Sequence, residues 1–558
     1  MKPGFYGYVA LRALNGTFTF ENKTEGTHVA IGHDDFGHPA GRVILTQDNS
    51  TISGLSGAWL NAPVSGPADM PGAVARAVKS AEDFGHVRGP VQGLSTDSQI
   101  GRLLLHTDSA AQRPFFIYTE KDMALFASTM ARLTILMTQN GITPQPDTTG
   151  AAALLAFGSI PGEKTLVKGV QKTRAGSTTT VTLDGLRTEL HTDYSRIKRT
   201  EQTEARAIER LQQAFCDAVR SVVDYNRIND FTQNNLLSGG IDSRMVLMET
   251  LNHTDQVNTI CFSQAGYLDQ SISAAIAADM GTRHTHYDLA QGHYIMRTAT
   301  VDDYDGTINY LASAHHRSML DDLAPVRHGL LSGGQLGNEI MGEFLKSGYQ
   351  PDHVIESLLT DSQFYLQCRE YLRGVWEKTP EPVVFKLHNR AFLFTNSAAY
   401  STMHRGLLCS PFTDPDFLKV ALSLPERYLK HQMLYLKWME TTYPRATRYS
   451  WERYRARPVW GARLAAARIR MKWMTKFVYP LTRFKNASMN PLDHWLAQSP
   501  ELQAFFRDTF EENRARLSHF PELKEAVEKS YPKMNVFNKA SVLTLLLAAR
   551  AQLKSPTA

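Results

Sequence analysis

Cysteine is scarce in this chain. There are four in 558 residues, Cys216, Cys261, Cys368 and Cys409, far apart and without a C-x-x-C pair. That argues against a disulfide framework or a thiolate zinc site, and for reduced thiols in a cytoplasmic setting. Long apolar runs are also missing: no stretch approaches the ~18 uninterrupted apolar residues of a membrane span. The opening MKPGFYGYVALRAL has no apolar run of signal-peptide length. Neither charge sign is in large excess. Sixty Lys and Arg against 55 Asp and Glu leave +5, which gives no case for wholesale nucleic-acid binding and leaves room only for a local basic patch. The phosphate loop G-x-x-x-x-G-K-S/T and the dinucleotide turn G-x-G-x-x-G are both absent, as are internal repeats and low-complexity tracts.

What is there is an ordinary globular composition, 42% hydrophobic and 21% charged, in a chain too long for one core. The first ~195 residues read as β-rich, with short apolar runs such as 43–45, 103–105 and 115–118 between Gly, Asn, Asp and Pro clusters. A helix is expected at 148–157, with strands at 164–169 and 177–183. The polar stretch 196–203 reads as a linker. A patterned helix follows over 204–223, with Ile208, Leu211, Phe215, Val219 and Val222 at helical spacing. Then strand, glycine turn, helix and strand alternate through NNLL, SGG, DSRMVLMETL, VNTICFS, SISAAIAADMG and HTHYDL. That alternation predicts a doubly wound parallel α/β sheet. From about residue 350 the chain reads as mostly helical.

The informative segment is Leu236-Leu237-Ser238-Gly239-Gly240-Ile241-Asp242-Ser243-Arg244. Paired glycines at a strand end let backbone N–H groups approach an oxyanion without a Cβ in the way. A helix starting there adds its own N–H groups and positive dipole end. The hydroxyls of Ser238 and Ser243 can donate as well, and together these make a nest for phosphate or pyrophosphate. Asp242 would repel an anion unless it holds Mg2+ against it. The plain structural reading is a capped glycine turn.

SGGIDS resembles the pyrophosphate loop of ATP pyrophosphatases, and the wider pattern resembles the asparagine synthetase family over nearly the whole chain. RLLLHTDSAAQRPFFIYTEKDMALFAST (102–129) and FGSIPGEKTLVKGVQKTRAGS (157–177) look like that family's N-terminal stretches. SPFTDPDFLKVALSLP (410–425) resembles its S-P-F-x-D motif. YPRATRYSWERY (443–454) resembles a segment of relatives from polysaccharide clusters. The resemblance implies an Ntn-type, amidotransferase-like β-sandwich flanked by helices over 1–195. It also implies a synthetase domain over 204–558, with a PP-loop parallel sheet and a helical C-terminal region. The activity it implies is an ATP-dependent amidoligase. Such an enzyme adenylates a carboxylate, releases pyrophosphate and forms an amide with an amine or ammonia. Its cofactor-binding residues would be Leu237, Ser238, Gly239, Gly240, Asp242, Ser243, Phe262, Ser263, Gly333 and Gly334. Phe262 and Ser263 would lie where relatives hold adenine by the main chain.

Three departures modify this. Position 2 is Lys2 where glutamine-hydrolysing relatives carry the cysteine nucleophile, and their N-G-E-x-Y-N glutamine motif is absent, SGAWLNAP (56–63) lying near its place. Nitrogen would then come from ammonia, a partner or a substrate amine. LLSGGQLGNEIMGEF (330–344) has Gly337-Asn338-Glu339 in place of an acidic metal-binding pattern. The metal set becomes Asp242, Asn338 and Glu339, with Glu339 supplying the carboxylate. The lysine of relatives is missing near Glu452, Arg453 and Arg455, which leaves Arg453, with Glu339, as the catalytic candidates. An arginine stabilises an oxyanion but does not shuttle a proton.

Asp269 reads equally as a nucleotide or metal contact and as a helix N-cap. Asp305-Gly306 resembles an acceptor-pocket border, and His315 and His316 read as structural or substrate-lining. Between Trp451 and Lys485 ten Lys or Arg meet one acid, Glu452. Such a segment suits peripheral contact with an anionic membrane or polymer, or else a solvated helix packed by its apolar face. The carboxylate could be a small molecule, a surface polysaccharide or a peptide, and the C-terminal motif points toward the glycan branch. A lasso-peptide-type macrocyclase and a nucleotide-binding pseudoenzyme are the alternatives. No nucleic-acid partner is expected, and a homodimer is compatible with the resemblance.

Overall fold

A computed structural model of the chain describes residues 4–10, 14–18, 20–24, 27–34, 43–48, 51–62, 69–97, 102–297, 299, 305–322, 328–347, 350–401, 407–478 and 488–553. Lys2 and the end of the basic segment, 479–485, lie outside the described residues.

The first half is two antiparallel six-stranded sheets. One has the order β10-β8-β9-β1-β3-β2 and the other β12-β11-β7-β6-β5-β4. The strands are β1 Gly4–Ala10, β2 Phe20–Thr24, β3 Thr27–Asp34, β4 Val43–Asp48, β5 Thr51–Gly57, β6 Val91–Asp97, β7 Arg102–Thr107, β8 Phe116–Glu120, β9 Met123–Ala127, β10 Val170–Lys172, β11 Ser177–Thr182 and β12 Gly185–Leu190. Strand alternation explains why they stack. Phe5, Val9, Ile31 and Phe126 of one sheet form a single core with Ile52, Leu94, Leu103 and Leu105 of the other. The opposite faces carry helices. Tyr6, Tyr8 and Leu125 pack under helices Met130–Gln139 and Thr148–Phe157, and Leu55 and Val91 under helix Met70–Ala77. The result is the expected helix-flanked sandwich.

The expected helix at 148–157 is present. The expected strand at 164–169 is not, and the strand nearest it, β10, begins only at Val170 and is three residues long. Thr165 Oγ1 bonds both the N–H and the carbonyl of Val167 at 3.1 Å, and Gly169 sits at φ +81°. A side chain satisfying its own backbone competes with a ladder and turns the chain.

The second half holds a five-stranded sheet of order β15-β14-β13-β16-β17. Its strands are β13 Thr232–Leu236, β14 Val257–Ser263, β15 Arg283–Asp288, β16 His328–Ser332 and β17 Leu407–Cys409, and every pairing is parallel. The chain builds outward from β13 on one side, then returns to build on the other. The order therefore reverses between β13 and β16, and ligands bind at such a switch point, beyond the carboxyl ends of the strands. Leu236, Ile260, Leu331 and Leu408 point to one face, under Met319 and Leu320 of helix Ala314–Asp322. The other face is partly polar. Gln233 donates to Asn235 Oδ1 (2.9 Å) and Ser332 Oγ (3.0 Å), and Asn235 Nδ2 donates to Thr250 Oγ1 (2.9 Å). This satisfied network fixes helix Ile241–Thr250 over the sheet.

The halves are tightly joined. Helix Val536–Gln552 packs on helix Thr148–Phe157 in one apolar core. Asp305, expected to border an acceptor pocket, is instead a strut. Its Oδ1 accepts from Met130 N at 2.7 Å and its Oδ2 from the Tyr400 hydroxyl. Lys172 is buried beside this seam and donates to the Ile160 carbonyl, and burial pushes its ammonium down to about 7. The unfolded chain keeps the ordinary lysine value of about 10.4. A lysine depressed in the fold penalises folding fully below its folded value and releases the penalty as pH rises toward the unfolded one. Measured against a Lys172→Met variant, the wild type is therefore expected to gain stability from about pH 7 upward. A difference in thermal midpoint that does not change with pH would contradict a buried ammonium.

Candidate active site

β13 leaves the sheet through Leu237, whose N–H donates to the Ile260 carbonyl at 2.8 Å. Ser238, Gly239 and Gly240 follow, and helix Ile241–Thr250 begins at once, with Gly240 as its N-cap and no side-chain cap bond. The loop is wound on its own serines. Ser243 Oγ accepts from Ser238 N, and Ser238 Oγ accepts from Gly240 N, each at 3.1 Å. The uncapped helix start leaves first-turn N–H groups for a ligand.

The loop after β16 lies against this helix start. A Cβ on Gly334 would stand 2.5 Å from Ser243 N, and one on Gly337 2.7 Å from Asp242 Cγ. None of Gly239, Gly240, Gly333, Gly334 and Gly337 has a positive φ, so these glycines provide room, not unusual dihedrals. Between them Leu336, buried, holds φ +76°. For a bulky side chain that conformation is strained, and it turns Gly337-Asn338 onto Asp242.

Asp242 is held from both sides. Tyr435 donates to Oδ1 at 2.6 Å, and Asn338 donates to Oδ2 through its backbone N–H (3.1 Å) and Nδ2 (2.7 Å). The Asn338 side-chain oxygen accepts from Gln432 at 2.6 Å, so Asn338 is a bridge between Asp242 and Gln432. Burial first, then Glu339 and Glu452, pushes the Asp242 carboxyl up to about 8. Glu339 is raised by burial against the pull of Arg453 and Arg390. Asp269 is no N-cap: it sits inside helix Leu268–Met280, and its Oδ1 accepts from Gly239 N at 2.6 Å. Burial raises Asp269 to about 6, and Glu452 to about 7 with Asp269 adding.

Sequence reasoning missed Arg244. It is fully buried, and its guanidinium donates to five carbonyls: Gly239 (2.6 Å), Gly240 (2.8 Å), Ala446 (3.0 Å), Tyr449 (3.1 Å) and Ser450 (3.0 Å). Burial lowers it to about 10, opposed by Glu452, Asp242 and Asp269. It clamps the glycine loop to segment 446–450, and Glu452 N completes the seam on the Gly239 carbonyl at 3.3 Å. A signal did exist. Helix 241–250 is buried on nearly every side, and an arginine in such a helix must be paired.

Beside the loop opens a cleft of about 980 Å³. Asp269 and Glu452 lie at its floor, and Arg453, Arg455, Arg468, Lys472 and Lys476 line its walls. Arg453 forms a bidentate pair with Glu343, at 2.8 and 3.2 Å. No lysine lies near residue 452 in the sequence, and the two in the cleft, Lys472 and Lys476, come from helix Ala462–Trp473 and its continuation Met474–Val478. The side chains of Phe262 and Ser263 are engaged within the fold, which leaves their main-chain groups at the carboxyl end of β14. The Phe262 ring packs on His315 and His316, at 5.0 and 4.7 Å, and Ser263 Oγ pairs with His286 at 3.0 Å. His315 and His316 do meet, ring to ring at 4.3 Å, and burial lowers both. Gly333 N donates to the Cys409 carbonyl at 2.9 Å.

Glu452 Oε2 is buried without a hydrogen-bond partner among the described residues, and burial raises Asp242, Asp269, Glu339 and Glu452 around the same loop. No three of their oxygens lie within 4.8 Å of one another, so a divalent cation, which relieves such charge, would need these side chains to draw in around it.

Residues 213–352 match the asparagine synthase family model, and that stretch contains both glycine loops. The chain is 25% identical over 185 residues to asparagine synthetase [glutamine-hydrolyzing] 1 of Bacillus subtilis (strain 168). That match covers 33% of this chain and 28% of the relative's length. Among solved structures, it is similar to the glutamine phosphoribosylpyrophosphate amidotransferase from B. subtilis complexed with ADP and GMP. The identity is 10% and the TM-score 0.20, over 51% of this chain and 60% of that one. A structure described as the allosteric regulatory enzyme of purine biosynthesis is similar at 11% identity and TM-score 0.22, over 51% of this chain and 75% of that one.

Proposed function

We propose that this chain is an ATP-dependent amide-forming ligase, with a synthetase unit over 204–558 and an amidotransferase-like unit over 1–195. The observation that carries this reading is the meeting of two glycine loops at one uncapped helix start, at the sheet's switch point. In the reaction, a carboxylate oxygen attacks the α-phosphorus of ATP. The bond to the bridging oxygen breaks and pyrophosphate departs. An amine or ammonia then attacks the acyl carbon, loses a proton and expels AMP. The helix start and the Ser238 and Ser243 hydroxyls bind the departing phosphates. Arg453, Lys472 and Lys476 offset negative charge across the cleft, and positioning supplies much of the rate. Asp242, Glu339 and Glu452 would hold Mg2+, which when bound neutralises phosphate charge.

Residues 1–195 contain no cysteine, which in this reading leaves ammonia, a partner protein or a substrate amine as the nitrogen source. The basic walls favour an anionic carboxylate substrate, and the glycan branch fits that preference. A second reading, nucleotide binding without turnover, draws on Asn338, whose oxygen is taken by Gln432.

ATP–pyrophosphate exchange across a panel of small, uronic and peptide carboxylates tests both. Wild type is expected to exchange label with at least one class, and Asp242→Asn to do so at least ~100-fold more slowly. Binding of ATP by calorimetry with no exchange would select the second reading. Unchanged exchange in the variant would remove Asp242 from the chemistry.

A further inference from the structure

We infer that the outward face of segment 460–477 docks on an anionic lipid surface. Seven large hydrophobic side chains are well exposed among the described residues, and four of them fall here: Trp460 (36%), Ile469 (72%), Trp473 (57%) and Phe477 (49%). Ile469, Trp473 and Phe477 are four apart on helix Ala462–Trp473 and its continuation Met474–Val478, so they form one stripe. The Trp473 and Phe477 rings lie 5.9 Å apart. The helix is not loose: Leu464 and Ala467 are buried beneath it, and Arg468 donates to the His431 carbonyl at 2.8 Å. A solvated helix packed by its apolar face would hide Ile469 and Trp473, and this one presents them.

Charge identifies the occupant. Arg463 and Arg470 are exposed beside the stripe, Lys472 and Lys476 are exposed between it and the cleft that they also line, and no Asp or Glu occurs between 462 and 478. Among the described residues none of these four is ion-paired. Apolar and aromatic side chains flanked by unpaired cations suit the boundary between anionic headgroups and acyl chains. A second copy of the same face would set cation against cation. A nucleic-acid strand would leave Ile469 without a stacking role. The helix lies on the surface, since no helix among the described residues is long and apolar enough to cross a membrane. Its other side lines the cleft through Arg468, Met471, Lys472 and Thr475, so docking would hold the cleft mouth at the bilayer. The docking is read without nucleotide, and therefore stands or falls independently of the ligase reading.

The test is co-sedimentation of the full chain with vesicles of phosphatidylglycerol and phosphatidylcholine in equal parts, against phosphatidylcholine alone. Preferential binding to the anionic vesicles, weakened by added salt, is the expected result. The variant Ile469→Ser/Trp473→Ser/Phe477→Ser changes only exposed positions. It should bind those vesicles at least ~10-fold less, with an unaltered thermal midpoint. Equal binding by the variant, or equal sedimentation with both vesicle types, would overturn the inference. So would binding to heparin or single-stranded RNA without vesicle binding, or light scattering that shows the variant abolishing a dimer.

Discussion

Arg244→Met is expected to destabilise the second half of the molecule by ~3–5 kcal/mol, the scale seen when one partner of a buried ionic network is removed. That is a large share of the ~5–15 kcal/mol that holds a typical domain folded. The substitution keeps a long unbranched side chain, so the cavity is small and the loss is polar. Five carbonyls on two separate segments lose their common donor at once, and Glu452, Asp242 and Asp269 lose the cation among them. The carbonyls of Gly239 and Gly240 are among the five, so nucleotide affinity should fall with stability. Arg244→Lys should be intermediate in midpoint yet still weak in binding. An ammonium has three donors and no planar fork, and cannot serve five acceptors spread over two segments. Urea denaturation followed by tryptophan fluorescence reads the first effect and ATP calorimetry the second. A methionine variant with the wild-type midpoint would show that the five contacts carry no net stability.

That arginine marks the boundary between what was legible and what was not. The loop Ser238–Ser243 could be read because strand, glycines, hydroxyls and carboxylate are contiguous, and a phosphate site of this form is a local property of backbone. The parallel sheet could be read because strands and helices alternate, and parallel strands require crossovers. The partners of that loop could not. Asp242 is held by Tyr435 and Asn338, and the loop is flanked by Asp269 and Glu452. These come from four other segments, and those that follow β16 reach the loop because the sheet order reverses at β13. By residue type Asn338 offers an oxygen ligand. Its orientation toward Gln432 depends on a residue 94 positions away. The basic stretch after Trp451 was legible as charge but not as direction, because which face of a helix is buried depends on the surface it meets. Leu464 faces inward and Ile469 outward, although both are aliphatic.

The two glycine loops should respond differently to a single added methyl, and the contrast separates packing from ligand recognition. Gly334→Ala places its Cβ 2.5 Å from Ser243 N and within 3 Å of the Asp242 carbonyl carbon and Cβ. Those are backbone and first-turn atoms of a buried helix, with no flexible side chain to swing aside. The β16 loop must back away from the helix start, or push that start off its position. A displacement of about 1 Å at a reacting site costs on the order of 100-fold in rate, so exchange should fall at least that much, together with the thermal midpoint. Gly240→Ala is the opposite case. Its φ of −72° and ψ of 163° admit alanine, and its Cβ would meet only Ser238 Oγ, at 3.1 Å. The free protein should fold as before. Any loss of ATP affinity then comes from the methyl standing where an oxyanion approaches the backbone. If Gly240→Ala binds ATP as tightly as wild type while Gly334→Ala does not, the glycine pair is a packing device and the phosphates lie elsewhere. If both lose binding but only Gly334→Ala loses stability, the turn after β13 is the surface that the diphosphate touches.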